Sequence, residues 1–226
     1  MAWSVNDIQT QIASEIDQSN SPPTEGGTDW NIRLNVINRS LLDWAESYDW
    51  DALKVVYNAK ISTSTGNASL ALPSDFKKID SYPRIVWDGT SLSDFPIVDP
   101  SKNTIYVDSD KFVNILGNDR DARVMYIHAP TLASGASVQF TYWKSPQSLA
   151  SAAQITDIPD PTFLVQRSLY YLYKGREDGR FPEAKVEADR MLVRMIENEN
   201  TRGLANVDRS VSNWLEDKHS FRIGRD

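Results

Sequence analysis

The chain of 226 residues contains no cysteine. Disulfides, thiolate nucleophiles and cysteine-ligated zinc are therefore excluded, which suits a reducing cytoplasm or a particle assembled there. Histidine is nearly absent as well. His128 and His219 stand far apart, whereas a metal site needs three or four converging ligands. Glycine is sparse, with ten residues in all. They compose no phosphate-binding loop, no dinucleotide fingerprint and no nucleophile elbow. The glycines of Tyr173–Arg180 fall between two helical patterns and read as a helix–helix turn. Asp108-Ser109-Asp110 opens like a calcium loop. Phe112, Val113 and Asp119 then occupy the places of its third ligand, its glycine and its closing glutamate. Asn118–Asp121 reads as hairpin-turn residues. Neither a metal nor any other cofactor is expected, and no pair of carboxylates is singled out for acid–base work. An enzyme is not expected.

No apolar run approaches the ~18 residues that span a bilayer, so no membrane partner is expected. The opening Met1–Asp7 lacks a basic region and an apolar region and does not read as a secretory signal. Basic charge is also in short supply, 24 Lys and Arg against 31 Asp and Glu. A broad grip on nucleic acid, which needs clustered cations, is not expected. The imbalance is uneven. Residues 1–48 carry two basic and seven acidic side chains, a net charge of −5. Residues 49–160 carry 10 against 13, and residues 161–226 carry 12 against 11.

What the chain does have is apolar periodicity in three regimes, with no internal repeat. Ser4 and Asp7 form a capping-box pair ahead of Val5, Ile8, Ile12 and Ile16, which predicts an amphipathic helix over 4–18. A Pro- and Gly-bearing loop follows, and Thr28 or Asp29 is expected to cap a second helix. There Trp30, Leu34, Ile37, Leu41, Trp44 and Tyr48 recur at alternating steps of four and three, a heptad seam suited to packing in a small bundle or against a neighbouring subunit. Ile32, Val36 and Leu42 lie off that seam.

Beyond Trp50 the period shortens toward two. Val55, Tyr57, Ala59 and Ile61 alternate with polar partners. Further short strands are predicted around Leu70–Leu72, Ile85–Trp87, Phe95–Val98, Thr104–Val107, Phe112–Leu116, Val124–Ile127 and Val138–Trp143. Turn signals every 8–12 residues favour a small antiparallel sandwich or barrel. Helix returns after Asp160-Pro161, with Asp160 as cap and Pro161 at the first helical position. Phe181-Pro182-Glu183 opens a last helix, buried along Ala184, Ala188, Met191 and Met195 and ending near Arg202-Gly203. The predicted fold is α+β: a four-helix bundle formed by the N- and C-terminal helix pairs, an inserted antiparallel β-sandwich or barrel, and an extended C-terminal arm. The expected boundaries are 1–50 with 158–203 for the discontinuous helical domain, 51–157 for the β domain and 204–226 for the arm.

This order of elements resembles the head-to-tail connector, or adaptor, proteins of tailed bacteriophages, related in plan to the tail tubular protein under the portal of short-tailed phages. The resemblance covers about residues 1–200 and is carried by four features. They are the short first helix before Leu41-Leu42-Asp43-Trp44-Ala45-Glu46, then Leu72-Pro73-Ser74-Asp75-Phe76, then Phe140-x-Tyr142-x-Lys144-x-Pro146 leading to Ile158-Pro159-Asp160, and Glu177-Asp178 before a charged helix. It implies a structural virion protein of the neck region, assembled in the host cytoplasm. Its partners would be its own copies in a ring of about twelve, the portal, and a downstream tail or stopper protein. DNA would pass through the channel without specific binding. The arm would grip the portal, with Trp214, Leu215, Phe221, Arg222, Ile223 and Arg225 as candidate contacts. Trp30, Leu34, Ile37, Leu41 and Trp44 would supply subunit packing. An acidic channel wall would let DNA slide, and the acids of 1–48 or of the β domain are candidates for it. Two competing readings stand beside this one. The first is a carbohydrate-binding sandwich that stacks sugars on Trp87, Tyr106 or Trp143. The second is another phage neck, tail or baseplate component.

Overall fold

The computed structural model describes residues 3–61, 68–80, 84–87, 91–99, 101, 111–117, 123–128 and 136–206. The chain divides into two compact units. One is built from residues up to 48 and from 149 onward, the other from residues 49–148.

Among the described residues the first unit holds four helices: α1 (Val5–Asp17), α2 (Thr28–Ser47), α3 (Thr162–Gly175) and α4 (Phe181–Asn206). The capping box at α1 is present in full. Ser4 Oγ accepts the Asp7 N–H at 3.2 Å, and Asp7 Oδ2 accepts the Ser4 N–H at 2.8 Å. Val5, Ile8 and Ile12 are fully buried, as their spacing requires. The helix ends at Gln18, held in the left-handed region at φ 52°.

The start of α2 differs from expectation by one residue. Gly27 holds the cap position with no side-chain bond, and Thr28 and Asp29 are already helical. Asp29 acts instead as a first-turn acid, favourable against the helix dipole. Asp160 accepts the Thr162 N–H at 3.0 Å, so it caps α3 from one residue further out than expected, with Pro161 just outside the helix.

α3 is the hub of this unit, packed by α4, α2 and α1. Ser168 meets Ser40 of α2 at 3.2 Å, and Arg167 bonds Asp43 of α2 at 2.7 Å. Gln166, Leu169 and Tyr173 line a groove shared with α1 and α4. At 100° per residue Ser168 and this second set lie on different sides of α3, while Arg167, which also pairs with Asp189 of α4 at 3.5 Å, lies between α2 and α4.

Among the described residues the second unit holds eight short strands: β1 (Lys54–Lys60), β2 (Ala68–Ala71), β3 (Phe76–Ile79), β4 (Arg84–Trp87), β5 (Ser91–Asp94), β6 (Phe112–Leu116), β7 (Val124–His128) and β8 (Ser137–Lys144). All ladders among the described residues are antiparallel. β8 is the spine of a five-stranded sheet. β1 runs along one side of it, with Tyr57 opposite Phe140. β3 and β4 share the other side, opposite the two ends of β8, and β5 pairs with β4. The other sheet has three strands in the order β2-β7-β6. Among the described residues neither sheet closes on itself. The barrel alternative is therefore corrected: the strands follow two separate paths, each with its own edges.

Both sheets feed one apolar cluster that includes Phe95, Val113, Met125, Ile127, Val138, Phe140 and Tyr142. Side chains alternate across β8, with Val138, Phe140 and Tyr142 buried and Gln139 exposed, the period-two pattern of a half-covered sheet. Phe95–Val98, expected as a strand, makes only a parallel bridge between Ile97 and Val113. Pro96 has no N–H to extend a ladder. The expected strand at Thr104–Val107 lies outside the described residues.

Candidate assembly surfaces

The five seam residues proposed for subunit packing are consumed by the helical unit itself. Trp30, Leu34, Ile37, Leu41 and Trp44 expose no more than 8% of their surface, and Ile37 and Trp44 expose none. The seam faces inward because α2 packs on α1 and α3. Burying each such side chain contributes ~1.5–3 kcal/mol. Gln9 supports the same packing from α1, donating from Nε2 to the Trp30 carbonyl at 3.2 Å. The six arm candidates, Trp214, Leu215, Phe221, Arg222, Ile223 and Arg225, lie outside the described residues.

What α2 leaves exposed is its off-seam set. Ile32 is 50% exposed and Leu42 49%. On α4 the exposed apolar residues include Phe181 at its start and, further along, Val186 and Val193, which the sequence reading missed because charged neighbours separate them. Two grooves adjoin these faces. One, of about 580 Å³, runs between α1, α3 and α4 and is lined by Glu15, Tyr173, Arg180, Val186, Glu187 and Arg190 among others. At its rim Arg180 lies over the Tyr173 ring at 4.3 Å. The hydrogen bonds of Arg180 hold the Asp178 carboxyl down at about 2. The other groove, of about 290 Å³, runs between α2 and α3 and is lined by Asp29, Ile32, Arg33, Val36, Tyr171, Leu172, Gly175 and Arg176.

A polar knot sits beside the second groove. Asp43 Oδ2 accepts from Arg167 Nε at 2.7 Å and from the Tyr171 hydroxyl at 2.5 Å. Arg39 covers the Tyr171 ring at 4.1 Å. Burial first, and then the bond to Asp43, push the Tyr171 hydroxyl above its ordinary value. Arg33 is 96% buried, with Nη2 bonded to Asp17. Its Nη1 has no hydrogen-bond partner among the described residues.

In the β unit, two of the segments that carried the resemblance meet. Tyr142 donates to Asp75 Oδ1 at 2.9 Å, and the Ser145 N–H donates to the Asp75 carbonyl at 2.6 Å. Phe76 stacks on Tyr142 at 5.4 Å between centroids. Burial first, then Asp75, push the Tyr142 hydroxyl up to about 12. The arrangement ties the β2–β3 turn to the end of β8.

Among the described residues no chemistry-bearing constellation emerges elsewhere. Among the described residues no group of three or more His, Asp or Glu could hold a metal ion. His128 stacks on Phe112 at 4.3 Å and meets Asn114 Oδ1 at 2.9 Å. Asn114 Nδ2 donates to the Val98 carbonyl, so its oxygen is the acceptor and His128 Nε2 carries the proton. His219, Asp108–Asp110 and Asn118–Asp121 lie outside the described residues, as do Tyr106 and the side chain of Trp87. Trp143, the remaining sugar-stacking candidate, is occupied: Lys54 Nζ and Lys78 Nζ sit 4.9 and 4.8 Å from its ring centroid. Among the described residues no helix is long and apolar enough to cross a membrane.

The family described as SU10 adaptor protein has a model that matches residues 4–212, which spans both units. No curated protein matches the chain.

Proposed function

Since this chain belongs to the SU10 adaptor protein family, we propose that it is a structural component of a tailed-phage virion, a head-to-tail adaptor that touches other virion proteins such as portal and tail. The family match across both units carries this reading. In finer detail, copies associate side by side into a ring of about twelve. The ring docks under the portal in the neck and extends the DNA channel toward a tail or stopper protein, in the plan of the tail tubular protein. The four helices act as one bundle over 1–50 and 158–203. The two sheets over 51–157 act as a sandwich inserted in it, and 204–226 is the portal-docking arm with Trp214, Leu215, Phe221 and Ile223 as anchors. Acids of 1–48, where the net charge is −5, face the channel and repel sliding phosphate. Assembly takes place in the host cytoplasm, and no step requires catalysis.

The exposed pairs Ile32/Leu42 and Val186/Val193 favour a ring over an isolated subunit, because a heterologous interface needs two different faces on one chain. Native mass spectrometry of the full chain, alone and with candidate portal rings, tests the reading. A closed species of about twelve copies supports it. A subunit that stays monomeric in both conditions overturns it. A ring whose lumen is strongly basic would refute the acidic-channel assignment alone.

A further inference from the structure

Two surfaces of the helical unit differ in character, and that difference suggests how neighbouring copies meet. On the outward face of α4, Val186, Arg190, Val193 and Glu197 follow one another at steps of four, three and four, so they share one stripe. All four are exposed. Among the described residues Glu197 makes no ion pair. The α2/α3 groove has an apolar wall of Ile32, Val36 and Leu172. Its charged lining is mostly cationic. Arg33 is buried and paired with Asp17, Asp29 is the one acid in the lining, and Arg33 Nη1 has no hydrogen-bond partner among the described residues. Arg176 is exposed at the end of α3, with no ion pair among the described residues. A guanidinium with unspent donor capacity in a partly dry groove favours a carboxylate as its partner.

We propose that the α4 stripe of one copy seats in the α2/α3 groove of the next. Val193 lies against Ile32 and Val36, and the Glu197 carboxylate comes beside Arg33 and Arg176. The proposal rests on the ring reading above and assigns its contact. Apolar residue meets apolar wall, the acid meets the cationic lining, and the two surfaces share no residue. One copy can therefore offer a groove to one neighbour and a stripe to the other, as a head-to-tail ring requires.

The absence of cysteine makes the test clean. Ile32→Cys and Val193→Cys, singly and together, are oxidised in the full-length protein under conditions where native mass spectrometry reads its oligomeric state. A disulfide needs Cα atoms within ~7 Å. The double variant is expected to give a covalent ladder of dimers, trimers and higher species, while each single variant gives none, because equivalent positions do not meet in a head-to-tail contact. Glu197→Lys is expected to weaken association about tenfold, and adding Arg176→Glu restores it. Rings that form without a ladder, and without response to Glu197→Lys, overturn this contact and leave the ring reading intact. If no species larger than a monomer forms, alone or on a portal ring, the ring reading falls and takes this contact with it.

Discussion

Replacing Ile37 with alanine separates a protomer core from a subunit interface. Ile37 is fully buried in the single chain, at the centre of a seam that sequence alone assigns equally well to either role. The substitution removes about three carbons, worth ~2.4 kcal/mol at ~0.8 kcal/mol each. The cavity left behind raises the expected loss to ~2–5 kcal/mol. For a domain of this size that lowers the melting temperature by roughly 5–15 °C. The loss should appear in urea or thermal unfolding of dilute monomer, and it should not depend on protein concentration. Ile32→Ala, at a position 50% exposed, should change monomer stability by ~0.5 kcal/mol or less. The reasoning fails if Ile37→Ala leaves the dilute monomer within ~1 kcal/mol of wild type, or if its effect appears only when the protein is oligomeric.

Three further outcomes are expected. Ser4→Ala breaks the capping box and should cost ~1 kcal/mol, read by denaturant unfolding; no measurable loss would mean that the α1 terminus is frayed in solution. Tyr142 has an ordinary value of 10.0 and is held up to about 12 in the fold, so above pH 10 the unfolded chain loses this proton first. Stability should fall between those two values, and a phenolate absorbance titration should show one tyrosine lagging, an effect that Tyr142→Phe removes. Burial lowers the pKa of His128 below its ordinary 6.5, so at acid pH the unfolded state binds more protons than the native state. Stability should therefore drop as pH falls below 6.5, and His128→Gln should flatten that slope; an unchanged slope refutes the assignment.

The features legible in the sequence were local. The Ser4–Asp7 box needs only four consecutive residues, and the α2 seam needs only one helix. Periodicity registers that a face is covered, not what covers it, so the seam's partner had to come from tertiary contacts. Ile32, Val36 and Leu42 were visible as surplus apolar positions, whereas Val186 and Val193 sit among charges that mask them. β3 went unseen because Phe76-Lys77-Lys78-Ile79 carries two central lysines, and its extended form is imposed by pairing with β8. β5, Ser91-Leu92-Ser93-Asp94, gives no strand signal at all. The bond between Tyr142 and Asp75 joins residues 67 positions apart, a pairing no window of sequence can display.

The place of β8 and α3 in the chain also governs how the protein emerges from the ribosome. β1 waits for β8, its only described ladder partner, and α1 and α2 wait for α3. At ~5–20 residues per second, the lag between the synthesis of β1 and that of β8 is roughly 4–20 seconds. Through that interval the nascent chain shows an unpaired strand edge and an uncovered seam with two tryptophans. Both gaps close within a short stretch of translation, since β8 ends at Lys144 and α3 begins at Thr162. A truncated product that stops before α3 therefore has no α2/α3 groove to offer. If the contact proposed above holds, such a product has no seat for the α4 stripe of a neighbour.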